Sequence, residues 1–563
     1  MMSKSHDRSN PLIVQSDRTV LLEADNPSYA EARNQLGRFA ELLKCPEHIH
    51  TYRITPLSLW NAASAGMGTD AILNFLDEFS KYPVPPNIRS EVIEYIGRYG
   101  RLRLLKDENR LILESDDANL IAEIWRIKTV RKLLDRQLNF QRLLVLPNCR
   151  GRVKQELINV GFPVEDLAGY ADGASLDIEI KSNAASDQAF SLRHYQVDAV
   201  SSFHAGGDVR GGAGVIVLPC GAGKTVVGIG VMSQLRTQTL ILVTNITAAR
   251  QWVRELLDKT TLTLDQIGEY SGEAKEHRPV TIATYQILTW RKSKTGPFPH
   301  FDIFNSMNWG LIIYDEVHLL PAPIFRITAE IQACRRLGLT ATLVREDHKE
   351  SDVFSLIGPK KCDIPWKVLE HQGWIATADC TEVRVRLPND QRIRYATADR
   401  RAQFRLASEN PRKFDVLDAL LARHKDDRVM VIGQYLDQLR SIARRIDAPL
   451  IVGSTPNHER ERLYDDFRSG HCKCLVVSKV GNFSVDIPDA NVLVQISGTY
   501  GSRQEEAQRL GRILRPKVNG SLAHFYSIVT RDSRDQDFAA NRQLFLTEQG
   551  YSYRIIDQHE IDP

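Results

Sequence analysis

Residues 215–225, VIVLPCGAGKT, constrain this chain more than any other stretch. Val215 to Leu218 is a short apolar run, the pattern of a strand buried on both faces of a parallel sheet. Gly221 and Gly223 follow, and Lys224 and Thr225 then open a stretch, VVGIGVMSQL, that reads as a helix. Strand, glycine turn and helix N-terminus together make an anion site, because backbone N–H groups and the positive end of the helix dipole converge there. Pro219, Cys220, Gly221, Ala222 and Gly223 would cradle phosphates, Lys224 would reach the β- and γ-phosphates, and the Thr225 hydroxyl would sit on Mg²⁺. Leu218 stands where the strict pattern has its first glycine, so an ordinary tight turn is the alternative for this stretch alone.

Residues 311–318, LIIYDEVH, favour the nucleotide reading. Four apolar or aromatic residues form a buried strand, with Asp315 and Glu316 at its carboxyl end, where open α/β sheets bind ligands. Asp315 is suited to hold Mg²⁺ through water, and Glu316 to orient or deprotonate the attacking water. Two adjacent carboxylates ending an apolar strand are hard to explain as a solvated loop. Together with Lys224 they point to a nucleoside triphosphatase.

The 563-residue length sets an expectation of three or four domains. No apolar run approaches the roughly 18 residues of a membrane span, and the polar start, MMSKSHDRSN, has no signal-peptide core. Scattered cysteines, with only Cys472 and Cys474 close together, fit a reduced cytosolic protein without a zinc site. With a net charge of +3, any polyanion site must be local rather than a global basic field.

Residues 1–115 read as an N-terminal α+β domain: a strand at 19–23, helices at 58–65, 69–79 and 87–99, and a hairpin at 101–105 and 110–114. Helices followed by a basic-flanked hairpin suggest a winged-helix-like arrangement in which Arg98, Arg101 and Arg103 touch phosphate. A solvated helix–hairpin face is the alternative. Residues 116–190 read as a small α/β unit with a strand at 141–146 and a helix at 151–160, ending in a linker from Ala171 to Ser191.

From Leu192 the signals become dense. Gln196, in LRHYQ ahead of the phosphate loop, carries the donors and the acceptor needed to read the adenine edge. LILVTN and VTIATY are further buried strands, ending at Thr244-Asn245 and Thr284-Tyr285; RLGLTAT ends at Thr340-Ala341-Thr342. Small hydroxyl and amide side chains there suit a sugar-phosphate backbone, although helix capping is the commoner use of Thr and Asn. A second strand-rich lobe follows, over 428–432, 450–452, 474–478 and 490–496. On a loop of that lobe Asp486 would accept from a ribose hydroxyl. In EEAQRLGRILRP, Gln508, Arg512 and Arg515 share one helix face. Arginines aimed across a cleft suit a γ-phosphate in transfer.

Phosphate loop, DEVH, TAT and QRLGRILR, in this order on two strand-rich halves, resemble the superfamily-2 helicases. The finer resemblance is to the XPB family of DNA-repair and transcription helicases. It rests also on Arg345-Glu346-Asp347, similar to that family's RED motif, on SKVGNFSVDIPDANVLVQIS and on RQLFLTEQGYSYRII, and covers residues 190–556 closely. It implies an α/β fold of two RecA-like parallel-sheet domains, 191–365 and 366–563, after the small N-terminal region. It further implies ATP and Mg²⁺ between those domains, and 3′-to-5′ opening of single-stranded, forked or bubble DNA in repair or transcription. By motif, Gln196 would read adenine, and Arg512 and Arg515 would be arginine fingers beside Gln508. Arg345, Glu346 and Asp347 would act in DNA opening, and Thr244, Asn245, Thr284, Thr340 and Thr342 would lie along the DNA. A double-strand translocase and an ATP-gated scaffold are the alternatives. Further expectations are a nuclease or other repair partner, a monomer, and a cytoplasmic, nucleoid-associated location. Asn482 stands where the family usually has Asp, and the segment between Thr381 and Phe414 is short for the family's thumb-like insertion.

Overall fold

The structure, a computed structural model, describes residues 8–44, 48–108, 110–183, 189–219, 221–293, 296, 298–332, 334–341, 350–364, 369, 372, 374, 378–478, 490–498, 522–548 and 552–561. The chain divides into two compact units: residues 1–218 with 223–363, and residues 364–563 with 219–222.

The first unit is organised around a seven-stranded parallel sheet. Its spatial order is Ile267–Tyr270, Val280–Thr284, Thr239–Val243, Leu311–Asp315, Arg335–Thr340, Ala213–Val217 and Lys360–Asp363. The strands AGVIV, TLILV and VTIAT are buried at every position. Helices covering both faces of the sheet require such uninterrupted apolar runs. Helices Lys224–Leu235 and Ile246–Lys259 belong to this layer, and the carboxyl ends of all strands open on one edge.

Two smaller sheets precede it. Strands Leu12–Val14, Thr19–Glu23, Ile49–Arg53 and Glu41–Lys44 form an antiparallel sheet in that order. Helices Pro56–Ser64, Thr69–Phe79 and Pro86–Arg98 follow. The first starts at Thr55, whose side chain accepts from the Ser58 N–H in a capping box. The second sheet is mixed and five-stranded, in the order Leu134–Asn139, Arg142–Val145, Arg110–Glu114, Leu102–Asp107 and Val164–Asp166. The expected boundary at residue 115 therefore falls inside one sheet, because Leu111 pairs with Val145 and Leu113 with Leu143. The basic residues flanking the hairpin are engaged locally: Arg101 pairs with Asp117, Arg103 with Asp116, and Arg98 donates to the Gly161 carbonyl. They are not a free phosphate-binding row. The expected linker lies against the parallel-sheet domain, bridging at Ser175–Thr237 and Ile180–Thr260. Trp60, Ile158 and Phe354 share an apolar cluster joining three parts of this unit.

The second unit repeats the design. Its seven-stranded parallel sheet runs Leu450–Ile451, Cys474–Ser478, Val429–Gly433, Val492–Gln495, Ala523–Thr530, Ala378–Val385 and Ser552–Asp557. Lys413 and Asp535 are wholly buried within it and paired at 2.7 Å. Between Val385 and Val429 the chain forms helices Asn389–Thr397, Arg400–Ser408 and Arg412–Arg423. Among the described residues no helix is long and apolar enough to cross a membrane.

Candidate active site

The strand Ala213–Val217 delivers the chain to the phosphate loop. Leu218, at the place of the missing glycine, is wholly buried and its N–H donates to the Thr340 carbonyl at 2.9 Å. The position continues the sheet edge, so a large apolar side chain is accommodated. Gly221 and Gly223 have φ of 82° and 80°, the left-handed region that glycine enters without a Cβ penalty. At Gly223 a Cβ would also come within 2.6 Å of Gln196 Nε2, so Gln196 is folded against the loop. Its Oε1 accepts from the Arg193 N–H at 2.9 Å. Helix Lys224–Leu235 begins directly after Gly223, placing Lys224 and Thr225 in its first turn.

The acidic pair ends strand Leu311–Asp315 as expected. Two side chains from elsewhere in the domain and the pair's own backbone fix it. Trp252 Nε1 donates to Asp315 Oδ2 at 2.9 Å, the Glu316 N–H donates to Asp315 Oδ1 at 3.0 Å, and the Tyr285 hydroxyl donates to the Asp315 carbonyl at 2.8 Å. Glu316 is left-handed, with φ 51°, a conformation rare for a side-chain-bearing residue and concentrated at functional sites. Its carboxylate lies 3.1 Å from Lys224 Nζ and 3.5 Å from His318 Nδ1. His318 Nδ1 in turn lies 2.6 Å from Thr340 Oγ1. Phosphate loop, acidic pair and the Thr340 strand end are thus one hydrogen-bonded network.

Electrostatics separates the two carboxyls. Burial, and then the neighbouring Glu316 charge, raise Asp315 above the ordinary carboxylate range; the Trp252 N–H and Lys224 offset this only in part. Burial is the largest single influence on Glu316 and works to raise it, but the Lys224 and His318 charges, with hydrogen bonds from Lys224 and the Ala341 backbone, together hold that carboxyl below its ordinary value. Asp315 therefore carries a carboxylate whose charge a cation would relieve, with the Thr225 hydroxyl in the helix turn that follows the phosphate loop. These donors fit a divalent, oxygen-seeking ion.

The strand-end residues divide. Asn245 Oδ1 accepts from the Ala248 N–H at 2.9 Å and caps helix Ile246–Lys259, while its Nδ2 donates to Thr244 Oγ1 at 3.2 Å. Both are partly exposed. Thr284 is buried and caps helix Tyr285–Leu288 by accepting from the Ile287 N–H, and Thr340 is wholly buried against His318. Neither side chain is presented to solvent, and each hydroxyl is engaged within the domain itself. Cys220, Thr342, Arg345, Glu346, Asp347, Asn482, Asp486, Gln508, Arg512 and Arg515 lie outside the described residues.

Trp252, Tyr285 and His318 had no assigned role in the sequence. Trp252 shares the apolar stripe of its helix with Ala249 and Leu256, so periodicity marks it as core, and only its indole N–H distinguishes it from an ordinary core residue.

Family models match along most of the chain: the ERCC3/RAD25/XPB C-terminal helicase over residues 369–562, the type III restriction enzyme res subunit over 189–345, and a helicase conserved C-terminal domain over 12–139. The DNA 3′-5′ helicase XPB of Kineococcus radiotolerans is 54% identical over 553 residues, covering 98% of this chain and 97% of that protein. The chain belongs to the XPB helicase family. The DNA 3′-5′ helicase XPB of Mycobacterium tuberculosis is 53% identical, covering 98% of each chain. The general transcription and DNA repair factor IIH helicase/translocase subunit XPB/SSL2 of Saccharomyces cerevisiae is 31% identical, covering 99% of this chain and 74% of that one. In this XPB-family chain the acidic pair, the phosphate-loop lysine and the network around them sit on a single carboxyl edge of one parallel sheet.

Proposed function

We propose that the chain is an ATP-dependent 3′-to-5′ DNA helicase, hydrolysing ATP to ADP and phosphate as it opens duplex DNA in repair or transcription-linked processes. The observation that carries this reading is the 3.1 Å pair between Lys224 and Glu316. It joins the residue built to hold phosphate to the residue built to activate water. In this arrangement the lysine restrains the base. Phosphates arriving at the loop compete for Lys224, and a lysine drawn onto them leaves Glu316 able to orient water and take its proton. His318, beside both Glu316 and Thr340, is placed to pass the state of the carboxylate to the strand that leads into the Arg345-Glu346-Asp347 segment.

Thr225 and Asp315 would hold Mg²⁺, which when bound neutralises charge developing on the phosphates. Gln196 would read adenine with its Nε2 edge, its oxygen being engaged by Arg193. Asp486 would accept from the ribose, and Gln508, Arg512 and Arg515 would complete the site from the second parallel-sheet domain. Thr244 and Asn245 would grip the DNA backbone, and the Arg345 triplet would act in strand opening. Each base-pair step costs on average about 1.4 kcal/mol to unstack, well within what one ATP supplies. The fitting substrates are single-stranded, forked or bubble DNA, with a nuclease or other repair protein as partner and a monomer as the acting form in the cytoplasm.

A second reading, translocation along duplex DNA without strand separation, is favoured by the name of the yeast relative, a helicase/translocase subunit. The test compares forks with a 3′ or a 5′ single-stranded tail, alongside displacement of a triplex-forming strand. Unwinding of the 3′-tailed fork alone supports the helicase. Triplex displacement without fork unwinding supports the translocase. DNA-independent ATPase with neither activity refutes both.

A further inference from the structure

The amino end of strand Ala213–Val217, opposite to the phosphate loop, borders a cavity of about 260 Å³. Three parts of the first unit wall it: the ends of helices Pro56–Ser64 and Pro86–Arg98, helix Arg150–Asn159 with strand Val164–Asp166, and the segment 354–361 beside Arg210. Its lining is cationic beyond the carboxylates available. Lys154 is buried and pairs with Asp166 at 2.8 Å. Asp166 is engaged a second time by Arg150, also at 2.8 Å. Glu165 is taken by Arg210 at 2.8 Å.

Two cations remain. Lys361 donates to the Arg210 carbonyl at 2.9 Å and makes no ion pair with a described carboxylate. Arg336, wholly buried behind the Tyr170 ring, donates to the carbonyls of Leu356, Gln332 and Cys334. Three cations, Lys154, Arg210 and Lys361, line the cavity against Glu165 and Asp166, and Arg150 and Arg336 stand behind that lining. The exposed Asp208, 4.0 Å from Arg210, meets that cation only at the solvent side. Burying uncompensated charge is unfavourable, and both cavity lysines register it: burial lowers Lys154 to about 8, and lowers Lys361 as well. The Tyr99 hydroxyl, also on the wall, has no hydrogen-bond partner among the described residues.

The backbone is shaped to hold Lys361 there. Its stem crosses Gly214, where a Cβ would come within 2.4 Å of Lys361 Cγ and 2.8 Å of the Pro359 carbonyl oxygen. We propose that this cavity is a second anion site, separate from the phosphate loop, which takes a small phosphate dianion, free or as a monoester, between Lys361, Arg210 and the Tyr99 hydroxyl. A phosphate gives Lys361 the counter-charge that no described carboxylate supplies, and charge-assisted bonds from ammonium and guanidinium groups are the strong ones. The volume admits a phosphoryl group with a small organic substituent beside the two tyrosine rings. The inference goes beyond the helicase reading and does not depend on it.

The test is thermal unfolding of the full-length Lys224→Ala protein, which weakens phosphate binding at the phosphate loop. It is titrated at constant ionic strength with inorganic phosphate and, separately, with glycerol phosphate. Stabilisation is expected, and adding Lys361→Met or Arg210→Ala should weaken the apparent affinity on the order of tenfold, the loss of one charge-assisted contact. Arg210 stands half-exposed at the mouth, so its variant folds even if Lys361→Met does not. Tighter binding of the monoester assigns the site to an organic phosphate, and equal binding assigns it to the free ion. No stabilisation, or the same stabilisation in all variants, overturns the proposal.

Discussion

Replacing Trp252 by Phe tests whether the indole N–H sets the electrostatics of the acidic pair. The bond from Trp252 Nε1 to Asp315 Oδ2 is 2.9 Å long, and the indole that donates it is buried. A hydrogen bond to a charged group contributes roughly 1.5–3 kcal/mol, and one pKa unit corresponds to about 1.36 kcal/mol. Removing the donor should therefore raise Asp315, already above the ordinary range, by about one to two further units. A carboxyl raised in this way is protonated at higher pH, so the acid limb of kcat/KM for ATP should move upward by that amount. The assay is DNA-stimulated hydrolysis as a function of pH, read as kcat/KM because that quantity reports the free enzyme. The smaller ring also leaves a void beside Gly228, where a Cβ would lie 2.6 Å from Trp252 Cη2. Stability should consequently fall by roughly 1–3 kcal/mol, and the profile is measured well below the melting temperature. A lower plateau with an unmoved acid limb would show that Trp252 acts through packing alone.

Two further outcomes concern stability. Asp535→Asn leaves Lys413 as an uncompensated charge at a wholly buried site and should destabilise the second unit by about 3–5 kcal/mol in chemical denaturation, while Lys413→Met with Asp535→Leu should cost less than the single change. In the N-terminal sheet, burial and then Arg33 lower His50 to about 4. A depressed folded-state value means that its contribution is complete above the ordinary value of about 6.5 and is lost as pH falls from there through 4. His50→Gln should flatten the pH dependence of melting across that window, and an unchanged slope would place the titrating group elsewhere.

The parallel-sheet domains were legible because their strands are short uninterrupted apolar runs between polar turns. VTIAT and LIIYD end at the residues that periodicity assigns, and helix Thr69–Phe79 matches its expected range. The middle sheet was not legible in the same way. Its edge strand, LDRQLN, is exposed at five of its six positions, so neither alternation nor apolarity marks it. Its pairing through Arg142–Val145 to the hairpin at 102–114 is a non-local contact that no local pattern encodes. In the candidate site, residue type and strand-end position marked Lys224, Asp315 and Glu316, which the structure brings together. They could not distinguish a threonine that faces a ligand from one that caps a helix, because the same hydroxyl does both; Thr284 and Thr340 are buried donors and acceptors of the domain itself.

In the proposed reaction Glu316 activates water once phosphate has drawn Lys224 away. Glu316→Gln preserves shape and removes the base, so the direct measurement pairs nucleotide binding with turnover and fork unwinding in this one variant. ATP should still bind, hydrolysis should fall by about 10²–10⁴-fold, and unwinding should fall with it. Hydrolysis within a few-fold of the unsubstituted protein, or unwinding that continues without hydrolysis, would contradict the assignment.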